Sequence, residues 1–149
     1  MRVTLAHVGG MNFEAVGDNG RRVVMSAAPE AGGGGGDNTG PRPMEMVLMG
    51  LGGCSGIDVL SILHKSRQRV SACEIGIEAE RADAVPAVFT RIHIRFRLRG
   101  ERLDRNKVAR AVSLSMEKYC SVTRMLEKTA AITHDFEIAE SAPADGTQA

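Results

Sequence analysis

Apolar positions recur along these 149 residues with the period of a strand or of a helix, and each period predicts an element. Arg2–His7 alternates as RVTLAH, and Met11–Val16 alternates again after Gly9-Gly10. Asp18-Asn19-Gly20 is a hairpin turn signal, and Arg21–Ser26 returns as a third strand. Ala31–Gly40, AGGGGGDNTG, reads as a flexible surface loop. Its glycine run lacks the Lys-Ser/Thr that a phosphate-binding loop requires. Pro43–Leu63, PMEMVLMGLGGCSGIDVLSIL, is the longest apolar run, interrupted by charge only at Glu45 and Asp58. Proline suits the first turn of a helix, and Lys65 and Arg67 suit its C-terminal end. A helix apolar on nearly all sides is buried or spans a membrane. Four glycines and two acids argue against a lone span, so a buried central helix is expected.

The strand period then resumes. In Ser71–Arg81, Cys73, Ile75, Ile77 and Ala79 point one way, and Glu74, Gly76, Glu78 and Glu80 the other. In Val88–Arg99, Val88, Thr90, Ile92, Ile94, Phe96 and Leu98 form one face, and Arg91, His93, Arg95, Arg97 and Arg99 the other. Acids on one strand and bases on the next predict cross-strand pairs on a solvent face. Asp104 is a helix N-cap, with Leu103 and Val108 as a staple. The helix it opens carries Val108, Ala111, Val112 and Ser115 on one stripe and runs to about Tyr119. SVTRMLEK follows Cys120 as a short helix. Thr129–Glu140 is a last strand, with Ile132, His134, Phe136 and Ile138 on one face. Residues 1–140 form one domain, and 141–149 are a flexible tail. The order βββ-α-ββ-α-α-β predicts an α+β fold with antiparallel sheets covering the central helix.

Composition narrows the function. Nineteen Lys and Arg against eighteen Asp and Glu leave almost no net charge, so nothing draws the chain generally to nucleic acid or anionic lipid. With no Trp, one Tyr and four Phe, it offers no base-stacking surface. The N-terminus has no signal-peptide apolar core, which predicts a cytoplasmic protein. Three cysteines in a reducing compartment point to catalysis or metal binding rather than to a disulfide framework. Zinc is the weaker choice, because Cys54, Cys120, His64 and His134 lack its close-paired spacings.

Gly50, Gly52, Gly53 and Gly56 each cost the helix about 1 kcal/mol relative to alanine. Close approach of another backbone is the usual reason for glycine in such a place. Whatever approaches them also approaches Cys54. By itself, Cys54 reads first as an inert buried thiol.

Together, PMEMVLMGLGGCSGIDVLSIL, EKYCSVTRML and the element order resemble the OsmC/Ohr family of thiol peroxidases, closest to its YhfA-like branch. The resemblance covers the whole chain apart from the tail. It implies an intertwined homodimer with the two central helices packed together, which would account for the glycines around Cys54. It also implies a peroxidatic role for Cys54 and a resolving role for Cys120; Cys73 matches neither, and its place on the inward face of a strand makes it structural. No cofactor or metal is implied. The expected partners are a second copy of the chain, a small hydroperoxide and an unidentified dithiol reductant.

Three positions depart from the family pattern. Met44 stands where a catalytic Glu directly follows the proline, and Glu45 comes one residue later. One residue turns a side chain about 100° around a helix. Glu45 is expected to keep its catalytic role through a local deformation of the helix, which the glycines permit. Ser121 replaces the proline that often follows the second cysteine. The activating arginine comes from the N-terminal strands, where Arg21 and Arg22 are the candidates. Burial, and Asp58 one turn beyond Cys54, would both disfavour a thiolate, so a cation must compensate. Met44, Met46 and Met49 offer an adaptable apolar lining suited to alkyl or fatty-acid hydroperoxides. The competing reading is a binding protein that keeps the fold and holds a small apolar or thiol-containing ligand without turnover.

Overall fold

The computed structural model describes residues 1–30 and 36–139. The predicted tail and the first half of the glycine loop lie outside the described residues. Two compact units are distinguished, Met1–Met49 and Gly50 onward, and the division falls inside a helix that sequence patterning reads as continuous.

The first unit is an antiparallel meander of β1 (Val3–His7), β2 (Asn12–Gly17) and β3 (Arg22–Ser26). The predicted turn joins β2 to β3, with Gly20 at φ +70°, a conformation glycine adopts without a Cβ clash. Asp37 gathers the strand ends. Its carboxylate accepts from Asn12 Nδ2 (2.8 Å), Thr39 Oγ1 (2.7 Å) and Ser26 Oγ (3.3 Å). These bonds hold its pKa below the usual carboxylate range.

Helix α1 (Pro43–Lys65) begins in this unit and continues into the second. Its end is a Schellman turn: the Arg67 N–H donates to His64 C=O and the Gln68 N–H to Leu63 C=O. Arg67 holds the left-handed position at φ +57°, where glycine is commoner.

The second sheet has the order β4 (Arg69–Arg81), β5 (Phe89–Glu101), β6 (Ala131–Ile138). β4 and β5 pair antiparallel, but β6 runs parallel to β5. The expectation of antiparallel sheets therefore holds for the meander and for the β4–β5 hairpin, but not for β6. A parallel neighbour needs a long crossover, which here is helix α2 (Arg105–Leu114), a π-helical turn (Ser115–Tyr119) and helix α3 (Ser121–Leu126). Asp104 caps α2 as expected, its Oδ1 accepting from the N–H groups of Asn106 and Lys107.

The core draws on Leu51, Val59 and Leu63 of α1, Ile92, Ile94, Phe96 and Leu98 of β5, and Val108, Ala111 and Val112 of α2. Each large side chain so buried contributes about 1.5–3 kcal/mol relative to exposure. A register shift between Glu80 and Arg81 turns Phe89 inward, so Phe89 is buried while Val88 and Thr90, expected inside, are exposed. The opposite face carries charge pairs, but Arg95 and Arg97 find their acids on β6 and not on β4 as expected, while Arg91–Glu80 joins the expected strands. Arg95 grips the Asp135 carboxylate with two bonds (2.8 and 2.6 Å), Arg97 pairs with Glu137, and Arg91 approaches Glu80 at 3.8 Å.

By length and composition α1 could cross a membrane, but it commits one face to this core. The expectation of burial on nearly all sides is met on that face alone. Gly53, Ile57 and Leu60 on the other are exposed, Ile57 by 71%.

Candidate active site

The second unit brings together residues that the chain keeps far apart. Cys54 and Asp58 stand one turn apart on α1, so they share a helix face. Cys120 stands between the π-helical turn and α3. The two sulfurs and a carboxylate oxygen of Asp58 all lie within 4.8 Å of one another. All three cysteines are free thiols. Cys54 and Asp58 are half-buried, while Cys120 is fully buried.

Local backbone geometry explains how Cys120 reaches this position. The Cys120 N–H donates to Ser115 C=O at 2.8 Å, a five-residue closure that widens the end of the helix and delivers the cysteine inward. Ser115 anchors the same turn to α1, its hydroxyl donating to Ser55 C=O (3.1 Å) and reaching Asp58 Oδ2 (3.4 Å). Ser55 is bonded into α1 itself, donating to Leu51 C=O and Gly52 C=O. The Cys120 sulfur accepts from the Thr123 N–H at 3.5 Å. Thr123 Oγ1 in turn reaches Met116 Sδ at 3.9 Å. Burial pushes the Cys120 thiol above its ordinary pKa, the Thr123 bonds pull against this, and the adjacent Cys54 pushes it further up.

Two of the glycines around Cys54 admit side chains from β4. A Cβ on Gly56 would stand 2.6 Å from Ile75 Cδ1, and one on Gly52 would stand 3.1 Å from Ile77 Cδ1. The close approach expected there is thus by isoleucine side chains of the same chain, not by backbone. Gly50 and Gly53 meet nothing within 4 Å.

The remaining candidates have other engagements. The Glu45 carboxylate is exposed and accepts from the Arg42 N–H at 2.8 Å. This is the reciprocal half of a capping box, in a helix that runs unbroken from Pro43. The deformation expected to redirect Glu45 is not present. Arg22 pairs with Glu14 on the neighbouring strand. Arg21 is exposed, its N–H donating to Asn19 Oδ1. Arg124, which sequence patterning did not single out, shares its Nη2 between Met116 C=O (2.9 Å) and Glu127 (2.8 Å). Cys73 lies half-buried on β4 opposite Leu98, where desolvation raises its thiol pKa.

Sequence reasoning named both cysteines of the cluster but weighed Asp58 only as a liability, and it missed Ser115 and Thr123. The four-residue spacing of Cys54 and Asp58 was legible; no local signal marks the π-helical turn that presents Cys120.

Comparison with known proteins places this geometry in a family context. The family model described as OsmC-like protein matches residues 34–135. Protein YhfA of Escherichia coli K12 is 46% identical over 138 residues, covering 93% of this chain and 98% of its own. A crystal structure of a hypothetical protein from Aquifex aeolicus superposes with a TM-score of 0.81 at 28% identity, covering 95% of this chain and 97% of that one. The organic hydroperoxide resistance protein OhrB of Bacillus subtilis shares the fold at a TM-score of 0.61 and 18% identity, covering 91% and 96%.

Proposed function

This chain belongs to the OsmC-like family, and from that membership we propose that it is a thiol-dependent peroxidase acting on organic hydroperoxides. One observation carries the reading: Cys54 and Cys120 meet within 4.8 Å, with the more accessible thiol on α1 and the buried one behind it. That division suits the two roles. A peroxidatic sulfur must meet substrate, and a resolving sulfur need only meet the first.

The Cys54 thiolate attacks one peroxide oxygen, the O–O bond breaks, and the alkoxide leaves to be protonated as an alcohol. Sulfur thereby gains OH as a sulfenic acid. The Cys120 thiol condenses with it, releasing water and forming a disulfide. An external dithiol restores both thiols by exchange. We place the reaction in the cytoplasm and in a homodimer, whose second copy would cover the exposed face of α1. OhrB, named for organic hydroperoxide resistance, has the fold this reading requires.

Non-reducing peptide mapping after a stoichiometric dose of an alkyl hydroperoxide tests the proposal. A Cys54–Cys120 bond is expected, formed equally well in Cys73→Ser. A bond involving Cys73, or both thiols still free, sinks it.

Departures from the family pattern at Met44 and Ser121 favour a second reading, in which the fold binds a small apolar or thiol-containing ligand without turnover. Tight binding with no alcohol product would distinguish it.

A further inference from the structure

We propose that Cys54, Cys120 and Asp58 form a binding site for a thiophilic divalent cation of the zinc type, occupied only while both cysteines are reduced. The site shares Cys54 and Cys120 with the peroxidase reading, adds Asp58, and does not depend on turnover.

Ligand chemistry comes first. Two sulfurs and one carboxylate oxygen supply three donors of the kinds zinc accepts. Around a tetrahedral ion with Zn–S near 2.3 Å and Zn–O near 2.0–2.2 Å, donor atoms stand about 3.5–3.8 Å apart. The three atoms here already lie within 4.8 Å of one another, so closure of about 1 Å along any pair suffices.

Fixed elements hold the donors. Cys54 and Asp58 share a face of α1, and Cys120 is tethered by its N–H bond to Ser115 C=O. The Ser115 hydroxyl reaches Asp58 Oδ2, the kind of outer contact that orients a ligating carboxylate. Cys54 and Asp58 are only half-buried, which leaves an entry path and a fourth position for water. Sequence spacing hid this site because its second sulfur arrives from a different helix, and its third donor is an aspartate rather than a histidine.

The charge balance is favourable. Binding displaces one proton from each thiol, so two thiolates and a carboxylate face a divalent ion. The same sulfurs cannot both hold the metal and bond to each other. Disulfide formation, which oxidises the two thiols by two electrons, must therefore expel it.

Cobalt(II), a spectroscopic substitute for zinc, tests the inference on the full-length reduced protein. The expected result is one Co²⁺ per chain, with thiolate-to-cobalt charge-transfer bands and intense visible bands of a tetrahedral site. Zinc should displace the cobalt stoichiometrically. Asp58→Asn should weaken binding at least about tenfold, the scale on which even outer contacts of a metal site act. Cys54→Ser should abolish the charge-transfer bands, and Cys73→Ser should leave them intact. Should Cys120→Ser fail to fold, Cys54→Ser and Asp58→Asn still decide the matter. Oxidation with diamide, which makes a disulfide without any peroxidase chemistry, should erase the spectrum. Absence of thiolate bands at saturating cobalt overturns the proposal, as does unchanged affinity in Asp58→Asn. Because no readout uses hydroperoxide, failure here leaves the peroxidase reading standing, and the converse is also true.

Discussion

At the scale of single residues, the hydrogen bond of Glu45 to Arg42 assigns that acid to the helix start. A carboxylate in the first turn stabilises by about 0.3–1 kcal/mol. Glu45→Gln retains an acceptor oxygen and loses the charge, so a small drop in the thermal midpoint is expected. Its rate of Cys54 oxidation in stopped flow should stay within about twofold of the wild type. A tenfold slowing, about 1.4 kcal/mol of barrier, would return Glu45 to the reacting centre. Asp135 behaves differently, because the Arg95 guanidinium holds its pKa down at about 2. An unfolded aspartate titrates near 3.9. The pair's contribution is therefore complete above about pH 4 and is lost as the pH falls towards 2. Both side chains are more than a third exposed, so water screens the pair and the effect is small and salt-sensitive. Urea midpoints of wild type and Asp135→Asn should differ at pH 5 and converge by pH 2, with a narrower gap in high salt. A gap independent of pH would show that the carboxylate acts by packing rather than by charge.

Among elements, the contact of α1 with β4 rests on missing side chains. Gly56→Ala gains up to about 1 kcal/mol of helix propensity. It also places a methyl 2.6 Å from Ile75 Cδ1, and overpacking of this kind costs about 1–3 kcal/mol. Net destabilisation is expected. Removing that methyl with Ile75→Val should recover most of the loss in the double variant, a coupling that a double-mutant cycle of denaturation midpoints measures. Additive effects would mean that the two residues do not meet. Gly53 is the control within the same helix, since a Cβ there touches nothing within 4 Å.

For the whole molecule, Gly53, Ile57 and Leu60 raise the question of assembly. An apolar stripe along a helix is normally covered, and a glycine with open space beside it suits close approach by another helix. If a second copy packs there, the wild type is a dimer at micromolar concentration by light scattering. Gly53→Leu, harmless to the isolated fold, should then yield monomer or aggregate. A monomeric wild type would defeat the idea outright.

What the sequence determined by itself was local. Alternation in β4 and β5 predicted the inward aliphatic face and the outward charged one, but Arg95 and Arg97 pair with Asp135 and Glu137 of β6 and not with the acids of β4. Asp18-Asn19-Gly20 and Asp104 marked a hairpin and a cap because the chemistry of turns and caps is contained within a few residues. The contexts of Cys54 and Cys120 were likewise readable by resemblance. Tertiary structure alone decided that β6 runs parallel to β5, that Phe89 rather than Val88 turns inward, and that α1 commits one face to this chain's core. It also decided that Cys120 arrives beside Cys54 with Asp58 as their neighbour. Each of these depends on which distant segments close on one another and in what register. That choice is set by the sum of many weak contacts and by the entropy of closing long loops, and no short stretch of sequence carries it.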